Sequence, residues 1–292
     1  MKLLDGKEAS SAILNRIREK VAANLAGGLR PPHLVAVLVG NDGASETYVA
    51  SKVRTCENIG FKSTLIRFEN SVTEAELIKC IQKINTDPEI DGLIVQSPIP
   101  SHISFNRITE TISPAKDVDG FHPLNTGRMV QNSESIIAAT PKGILMLLEH
   151  FKIDTTGKLC VILGRSNIVG MPMSVLMARN SWPGNCTVTL CHSKTPDPGV
   201  FTRQADIIIA AIGRPGFLKA DMVKEGAIVI DVGISRIADD SRKSGYRLSG
   251  DVDFEHVAPK CSYITPVPGG VGLMTIAGLM HNTLIAAGYS IN

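Results

Sequence analysis

Lys158-Leu159-Cys160-Val161-Ile162-Leu163-Gly164-Arg165-Ser166-Asn167-Ile168-Val169-Gly170-Met171-Pro172 is the stretch whose reading decides the fold. Its apolar opening reads as a buried strand, Gly164 as a turn, and the residues after Gly170 as a helix over Met173 to Arg179. A strand, a small-residue turn and a helix N-terminus make an anion cradle, because backbone N–H groups and the helix dipole can both reach a phosphate. The spacing is GxxxxxG and not GxGxxG, so tight strand–helix packing alone would also account for it.

Downstream, Thr187 to Cys191, Asp206 to Ala211, Ala227 to Gly233 and Ser262 to Pro266 read as further strands. The continuous apolar runs among them belong to a parallel sheet covered on both faces. A doubly wound, Rossmann-type α/β domain follows from this pattern. In such a domain NAD sites place an acidic residue near the end of the second strand, where it binds ribose hydroxyls. Here the second strand ends Leu190-Cys191-His192-Ser193-Lys194-Thr195, with no carboxylate. Together with Arg165, these cationic and hydroxyl groups suit a 2′-phosphate, so the residues favour NADP over NAD, a solvated basic loop being the alternative. Gly213-Arg214-Pro215-Gly216 and Asp231-Val232-Gly233-Ile234 follow the next two strands, where a cofactor's ribose or nicotinamide would lie against backbone. Pro266-Val267-Pro268-Gly269-Gly270-Val271-Gly272 is too rich in Pro and Gly for a helix or strand.

Working back toward the N-terminus, a helical pattern over Gly6 to Gly27 precedes a buried strand, His33 to Val39. Gly40-Asn41-Asp42-Gly43 is a turn, and Ser45 is expected to cap a helix ending at Gly60. That helix holds Tyr48-Val49-Ala50-Ser51-Lys52, whose phenol and amine lie one turn apart on one face. By itself the pair reads first as a tyrosine packed by its ring beside a solvated lysine; placed in a site, it could orient substrate or move a proton. Lys62 to Phe68, a helix capped by Thr73, and Leu93 to Gln96 complete a β-α-β-α-β unit. Ligands gather beyond the carboxyl ends of such strands, which is where Gln96 and the Tyr48/Lys52 helix fall. Ser113 to Pro123 is a polar loop with two carboxylates, Asp117 and Asp119, and linker-like sequence runs on to about Ala139. Thr140-Pro141 then opens a helix over Lys142 to Phe151 that joins the two domains. The expected organisation is 1–119 as one α/β domain, 120–272 as the nucleotide domain with its linker, and a C-terminal helix over 273–292 packing back on the first. The stretch Asp239 to Arg247 reads as an exposed hairpin or loop.

Composition narrows the function classes. A net charge of +2 argues against a protein that coats nucleic acid or anionic membrane, and 4% aromatic residues leave little for base stacking. Cys56, Cys80, Cys160, Cys186, Cys191 and Cys261 are scattered without metal-ligand spacing, as expected of reduced thiols in the cytosol. The first residues hold no long apolar segment, and no run reaches the ~18 residues of a membrane span. A soluble, cytoplasmic protein without a metal is expected.

The motifs YVASK (48–52), Gln96 with Pro98 and Pro100, KDVDGFHP (116–123), GRSNIVGMP (164–172), CHSKT (191–195) and PVPGGVG (266–272) occur in this order in one chain. The whole chain resembles the bifunctional methylenetetrahydrofolate dehydrogenase/methenyltetrahydrofolate cyclohydrolase family. The resemblance implies two open α/β domains flanking a cleft, folate on the first and NADP on the second, in a homodimer formed through the second. It implies tetrahydrofolate one-carbon derivatives as substrates. It makes Lys52 the catalytic lysine, Gln96 its partner, Tyr48 a folate contact and Asp119 the pterin anchor. Gly164, Arg165, Ser166, His192 and Ser193 become cofactor contacts, with Ile234 near the nicotinamide side. Ser97, Ala138-Ala139 and Leu273 stand where the family usually has Leu, Pro-Cys and Pro, and none of these changes removes a chemical group assigned to catalysis. Three other readings stand beside this one. They are a monofunctional or NAD-preferring member, a short-chain-type dehydrogenase (whose nucleotide turn would precede its Tyr/Lys pair), and a non-catalytic nucleotide-sensing protein.

Overall fold

The structure is a computed structural model that describes residues 1–242 and 245–290. Lys243 and Ser244, inside the stretch read as a hairpin or loop, and Ile291 and Asn292, at the end of the expected C-terminal helix, lie outside the described residues. In chain order the first elements are β1 (Lys2–Leu3), α1 (Gly6–Ala26), β2 (His33–Val39), α2 (Gly43–Ile59), β3 (Lys62–Phe68), α3 (Glu74–Thr86), β4 (Gly92–Val95), α4 (Phe105–Thr111), α5 (Pro123–Val130) and α6 (Ala139–His150). There follow β5 (Leu159–Leu163), α7 (Gly170–Ala178), β6 (Thr187–Cys191), α8 (Gly199–Thr202), β7 (Ile207–Ala210), β8 (Ile228–Asp231), β9 (Ser235–Ala238), β10 (Tyr246–Ser249), α9 (Phe254–Val257), β11 (Tyr263–Ile264) and α10 (Val271–Ala286). The chain forms two compact units, one of Met1–Ser10 with Thr140–Thr275 and one of Ser11–Ala139 with Ile276–Asn292.

In the unit built on Ser11–Ala139, β2 lies between β3 and β4, parallel to both. Every residue of β2 is buried, as expected of a central strand covered on both faces. Val35, Val37 and Val39 point with Leu93 and Val95 into one core, closed by Leu77, Ile81 and Ile84 of α3. Thr73 caps α3 through a full capping box, its hydroxyl accepting from Glu76 N–H while the Glu76 carboxylate accepts from Thr73 N–H. The cap of α2 differs from expectation. Asp42, in extended conformation, accepts from Ser45 N–H at 2.8 Å, so Ser45 is the capped residue and not the cap. A carboxylate does this better than a hydroxyl because its charge also meets the helix dipole. Gly60, at φ 82°, closes the other end in the left-handed conformation that favours glycine.

The stretch expected to be linker up to Ala139 contains α5, which starts on Pro123 with His122 as its cap. His122 and Pro123 are the cap and first-position proline that Thr140-Pro141 was expected to be, and their reading as loop missed it. Helix α6 begins at Ala139, so Thr140 and Pro141 lie inside its first turn. Asn282 of α10 donates to Val118 O and Ile137 O at 2.9 and 2.8 Å, tying the chain on both sides of α5 to that helix.

In the other unit six parallel strands run in the order β1-β11-β8-β7-β5-β6. After β1, laid at the far edge, the chain builds this sheet from β5, adds β6 on one side, then crosses to β7 on the other, which makes β5/β7 the topological switch point. β1 was not foreseen because two residues carry no periodicity; it is defined only by its pairing with Tyr263 and Ile264. Val271 and Gly272, read as part of an irregular turn, form the first turn of α10. Strands β9 and β10 make an antiparallel hairpin.

Replacing Asp42 with alanine should lower the stability of the α2-bearing unit by about 1 kcal/mol, with asparagine restoring most of it. The urea midpoint of the purified variants measures this, and an unchanged midpoint in Asp42→Ala would contradict the capping role.

Candidate active site

Along α2 the buried positions are Ser45, Val49, Lys52, Cys56 and Ile59, which is one stripe at helical spacing. Lys52 therefore stands where the pattern calls for an apolar residue, and it is only 4% exposed. This overturns the reading of a solvated surface lysine. Its ammonium donates to Gln96 Oε1 at 3.1 Å and lies 4.9 Å from the centre of the Tyr48 ring. Gln96 Nε2 donates in turn to Ser97 O at 2.8 Å, which fixes the amide with its oxygen toward the lysine. Lys52, Gln96 and Tyr48 are thus one group, assembled from a helix and the end of β4.

Burial lowers the Lys52 pKa from its ordinary value, because an ammonium loses more by leaving water than an amine does; the nearby Asp119 charge opposes this. Asp119 is shifted the other way, raised by burial and pulled back by Lys52. Cys56, one turn beyond Lys52, is pushed up to about 12 by burial and remains a neutral thiol.

The two carboxylates of the polar loop have separate fates. Asp117 accepts from the backbone N–H groups of Phe121 and His122 and from Asn125 Nδ2, at 3.2, 2.8 and 3.0 Å. It is a structural residue that shapes the loop. Asp119 makes no side-chain hydrogen bond among the described residues, so its acceptor capacity is open to a ligand. A small, mostly apolar cavity is lined by Leu93, Phe105, Phe121 and both aspartates among others.

In the six-stranded unit, Gly164 takes φ 114°, and a Cβ there would collide with Ala211 O beyond β7. A Cβ on Gly170 would strike Gly164 O. The two glycines let α7 start directly above the turn at the switch point, which is the shape of a phosphate cradle. Arg165, Ser166 and Ser193 are exposed at its rim and His192 is partly exposed. Ser166 Oγ accepts from Val169 N–H at 3.2 Å, so its hydroxyl proton is left to donate outward. Lys194 N–H donates to His192 Nδ1 at 3.2 Å, which leaves Nε2 as the protonated nitrogen of the neutral ring. Gly164 N–H donates to Cys191 O at 2.9 Å, so the two loops are adjacent. Ile234, 62% exposed, follows β8, two strands away in the sheet from β5, and is not beside Arg165. The residues present fit a dinucleotide with a 2′-phosphate: a glycine turn without side chains in the way, and cationic and hydroxyl groups around it.

Sequence reasoning missed two buried carboxylates here, Asp231 and Asp251. Asp231, the last residue of β8, had been read only as part of a strand-end motif. Glycine-flanked aspartate in Gly250-Asp251 was the available signal. Among the described residues no group of His, Cys, Asp and Glu side chains could hold a metal ion, and no helix is long and apolar enough to cross a membrane.

Comparison with known families meets this geometry. Residues 4–119 match the tetrahydrofolate dehydrogenase/cyclohydrolase catalytic domain, and residues 138–290 match the NAD(P)-binding domain of the same proteins. The chain belongs to the tetrahydrofolate dehydrogenase/cyclohydrolase family. It is 57% identical to the bifunctional protein FolD of Porphyromonas gingivalis over 98% of this chain and 97% of that one. The bifunctional FolD structure from Campylobacter jejuni superposes with a TM-score of 0.93 at 46% identity, covering 99% of both chains. The Trypanosoma brucei enzyme, solved with NADP and an inhibitor, gives 0.92 at 35% identity over 97% of this chain and 96% of that one.

A carboxylate at residue 96 would reverse the Lys52 shift. Gln96→Glu should raise the lysine pKa, because a negative acceptor about 3 Å away favours the ammonium far more than an amide does. Titration of isotopically labelled lysine by NMR should find Lys52 below the ordinary lysine range in the unaltered chain and higher in the variant. Equal values would show that the amine is not governed by this contact.

Proposed function

We infer that this chain oxidises 5,10-methylenetetrahydrofolate to the methenyl form with NADP and then hydrolyses that product to 10-formyltetrahydrofolate. The observation that carries the reading is the Lys52 amine, buried on an apolar helix stripe and held by a neutral amide. NADP, when bound, supplies the hydride acceptor for the oxidation. That step needs no strong base from the protein, since the adjacent folate nitrogen stabilises the cation and positioning dominates. Asp119 supplies the positioning: an unpartnered carboxylate can accept paired N–H donors from the pterin's amino and ring nitrogens. Tyr48, against which the Lys52 amine rests, shapes the folate pocket.

Hydrolysis does need proton transfer. An ordinary lysine, with a pKa of about 10.4, is a poor base at neutral pH, and desolvation brings Lys52 toward the useful range. As an amine, Lys52 accepts the proton of the water that attacks the methenyl carbon. The ammonium so formed returns the proton to the ring nitrogen that leaves, and the remaining hydroxyl proton passes to solvent as the formyl C=O forms. Gln96 orients the amine through both states without trapping the charged one. Arg165, Ser166, His192 and Ser193 would hold the phosphates of NADP at the Gly164 turn, Arg165 the 2′-phosphate, with Ile234 toward the nicotinamide side.

The place of the activity is one-carbon folate metabolism, with purine and amino-acid biosynthesis among its consumers. Six cysteines without a disulfide support a cytoplasmic setting. A homodimer formed through the nucleotide unit is part of the same reading.

Two variants test the assignment when each step is assayed separately by absorbance. Lys52→Met should reduce cyclohydrolase activity by about a hundredfold or more, and activity at the unaltered level would remove Lys52 from the reaction. Arg165→Ala should raise the KM for NADP by about tenfold, as expected for a lost charged hydrogen bond, while leaving that for NAD nearly unchanged. Equal effects on the two cofactors would exclude Arg165 from the 2′-phosphate.

A further inference from the structure

Asp231 and Asp251 are both buried in the nucleotide unit, and neither has a role in the chemistry described above. Their hydrogen bonds run almost wholly to backbone. Asp251 Oδ2 accepts from two successive amides just beyond β7, Ile212 N–H at 2.6 Å and Gly213 N–H at 2.9 Å. The same side chain packs against Gly233, beyond β8, so closely that a Cβ on that glycine would collide with it. Asp231 accepts from Gly233 N–H and Asp251 N–H on Oδ1 and from Val252 N–H on Oδ2, at 3.0, 2.9 and 3.0 Å. A Cβ on Gly250 would overlap Asp231 Oδ2. Leu218 N–H donates to Asp251 O and Gly216 N–H to Gly250 O, at 2.9 and 3.0 Å. The segment from Gly250 to Val252 is therefore bonded to the loop after β7 and to Asp231 at the end of β8, whose carboxylate also accepts from Gly233 N–H. These are the loops at the carboxyl ends of strands next to the switch point, where dinucleotides bind.

From this we infer that Asp251 is a positioning residue for the cofactor, setting the backbones of Ile212–Gly213 and Gly233 against which the nicotinamide half lies. The inference rests on the NADP-dependent activity proposed above. One feature separates such a role from general packing. Ile212 and Gly213 present their N–H groups to one oxygen, so their orientation depends on that atom and not on the volume of the side chain. The operative property is an acceptor of fixed place, and asparagine supplies it as well as aspartate does.

The test uses the full chain and both activities, since the cyclohydrolase step consumes no NADP and serves as an internal control. Asp251→Ala should raise the KM for NADP by about tenfold or more, the scale of a misplaced binding group, with cyclohydrolase activity close to that of the unaltered chain. Asp251→Asn should restore the KM to near its original value. An unchanged KM in Asp251→Ala, a parallel fall of both activities, or failure of asparagine to rescue would each overturn the inference. If the alanine variant does not fold, Asp251→Ser provides the same comparison, its hydroxyl being too short to reach both amides. Absence of NADP-dependent oxidation in the unaltered chain would instead count against the proposed function and is read separately.

Discussion

One amine held out of water determines how the unit of Ser11–Ala139 is built. Lys52 occupies a core position of α2, and a charged lysine there would be costly unless it were paired. A carboxylate partner would have relieved that cost and left an ammonium at neutral pH. Gln96 is an acceptor without charge, so the position stays occupied while the pKa stays low. The arrangement holds only if helix and strand end keep their register. Asp42 and Gly60 fix the two ends of α2, and Ser97 O holds the free side of the amide. Stability contributed by these caps thereby fixes the geometry of the lysine and the amide.

Carboxylates in this molecule divide by what they accept from. Asp42, Asp117, Asp231 and Asp251 all take backbone N–H groups, and each ties the chain locally at a helix start or a strand end. Asp119 lies two residues from Asp117 in the same loop and takes none. Asp117 satisfies the loop, and Asp119 keeps its acceptor capacity.

Much of this was legible in the residues because it depends on period and punctuation. The central strand β2, the β5 turn and the capping box at Thr73 each carry a local signal that tertiary contacts did not override. What was not legible depends on partners distant in sequence. β1 exists through β11, and Asp251 matters through amides 38 and 39 positions away. α5 was readable in principle, since His122-Pro123 repeats the pattern of Thr140-Pro141, and its polar composition masked it. Lys52 is the instructive case. Val49, Cys56 and Ile59 already outline a buried stripe with Lys52 on it, so the burial could have been inferred before any resemblance was considered.

The nucleotide unit makes the complementary use of physics, relying on backbone where the unit of Ser11–Ala139 relies on side chains. At the switch point Gly164 and Gly170 are required because chain approaches chain, and the polar residues nearby spend part of their capacity on the turn itself. Ser166 accepts from Val169 N–H and His192 from Lys194 N–H. Each side chain is thereby oriented by its acceptor atom and left with a donor, Oγ–H in one case and Nε2–H in the other. Donors are what a phosphate needs. A carboxylate in either place could only accept, and would repel the anion it is meant to hold, so its absence after β6 is as much a part of the site as the residues that are present.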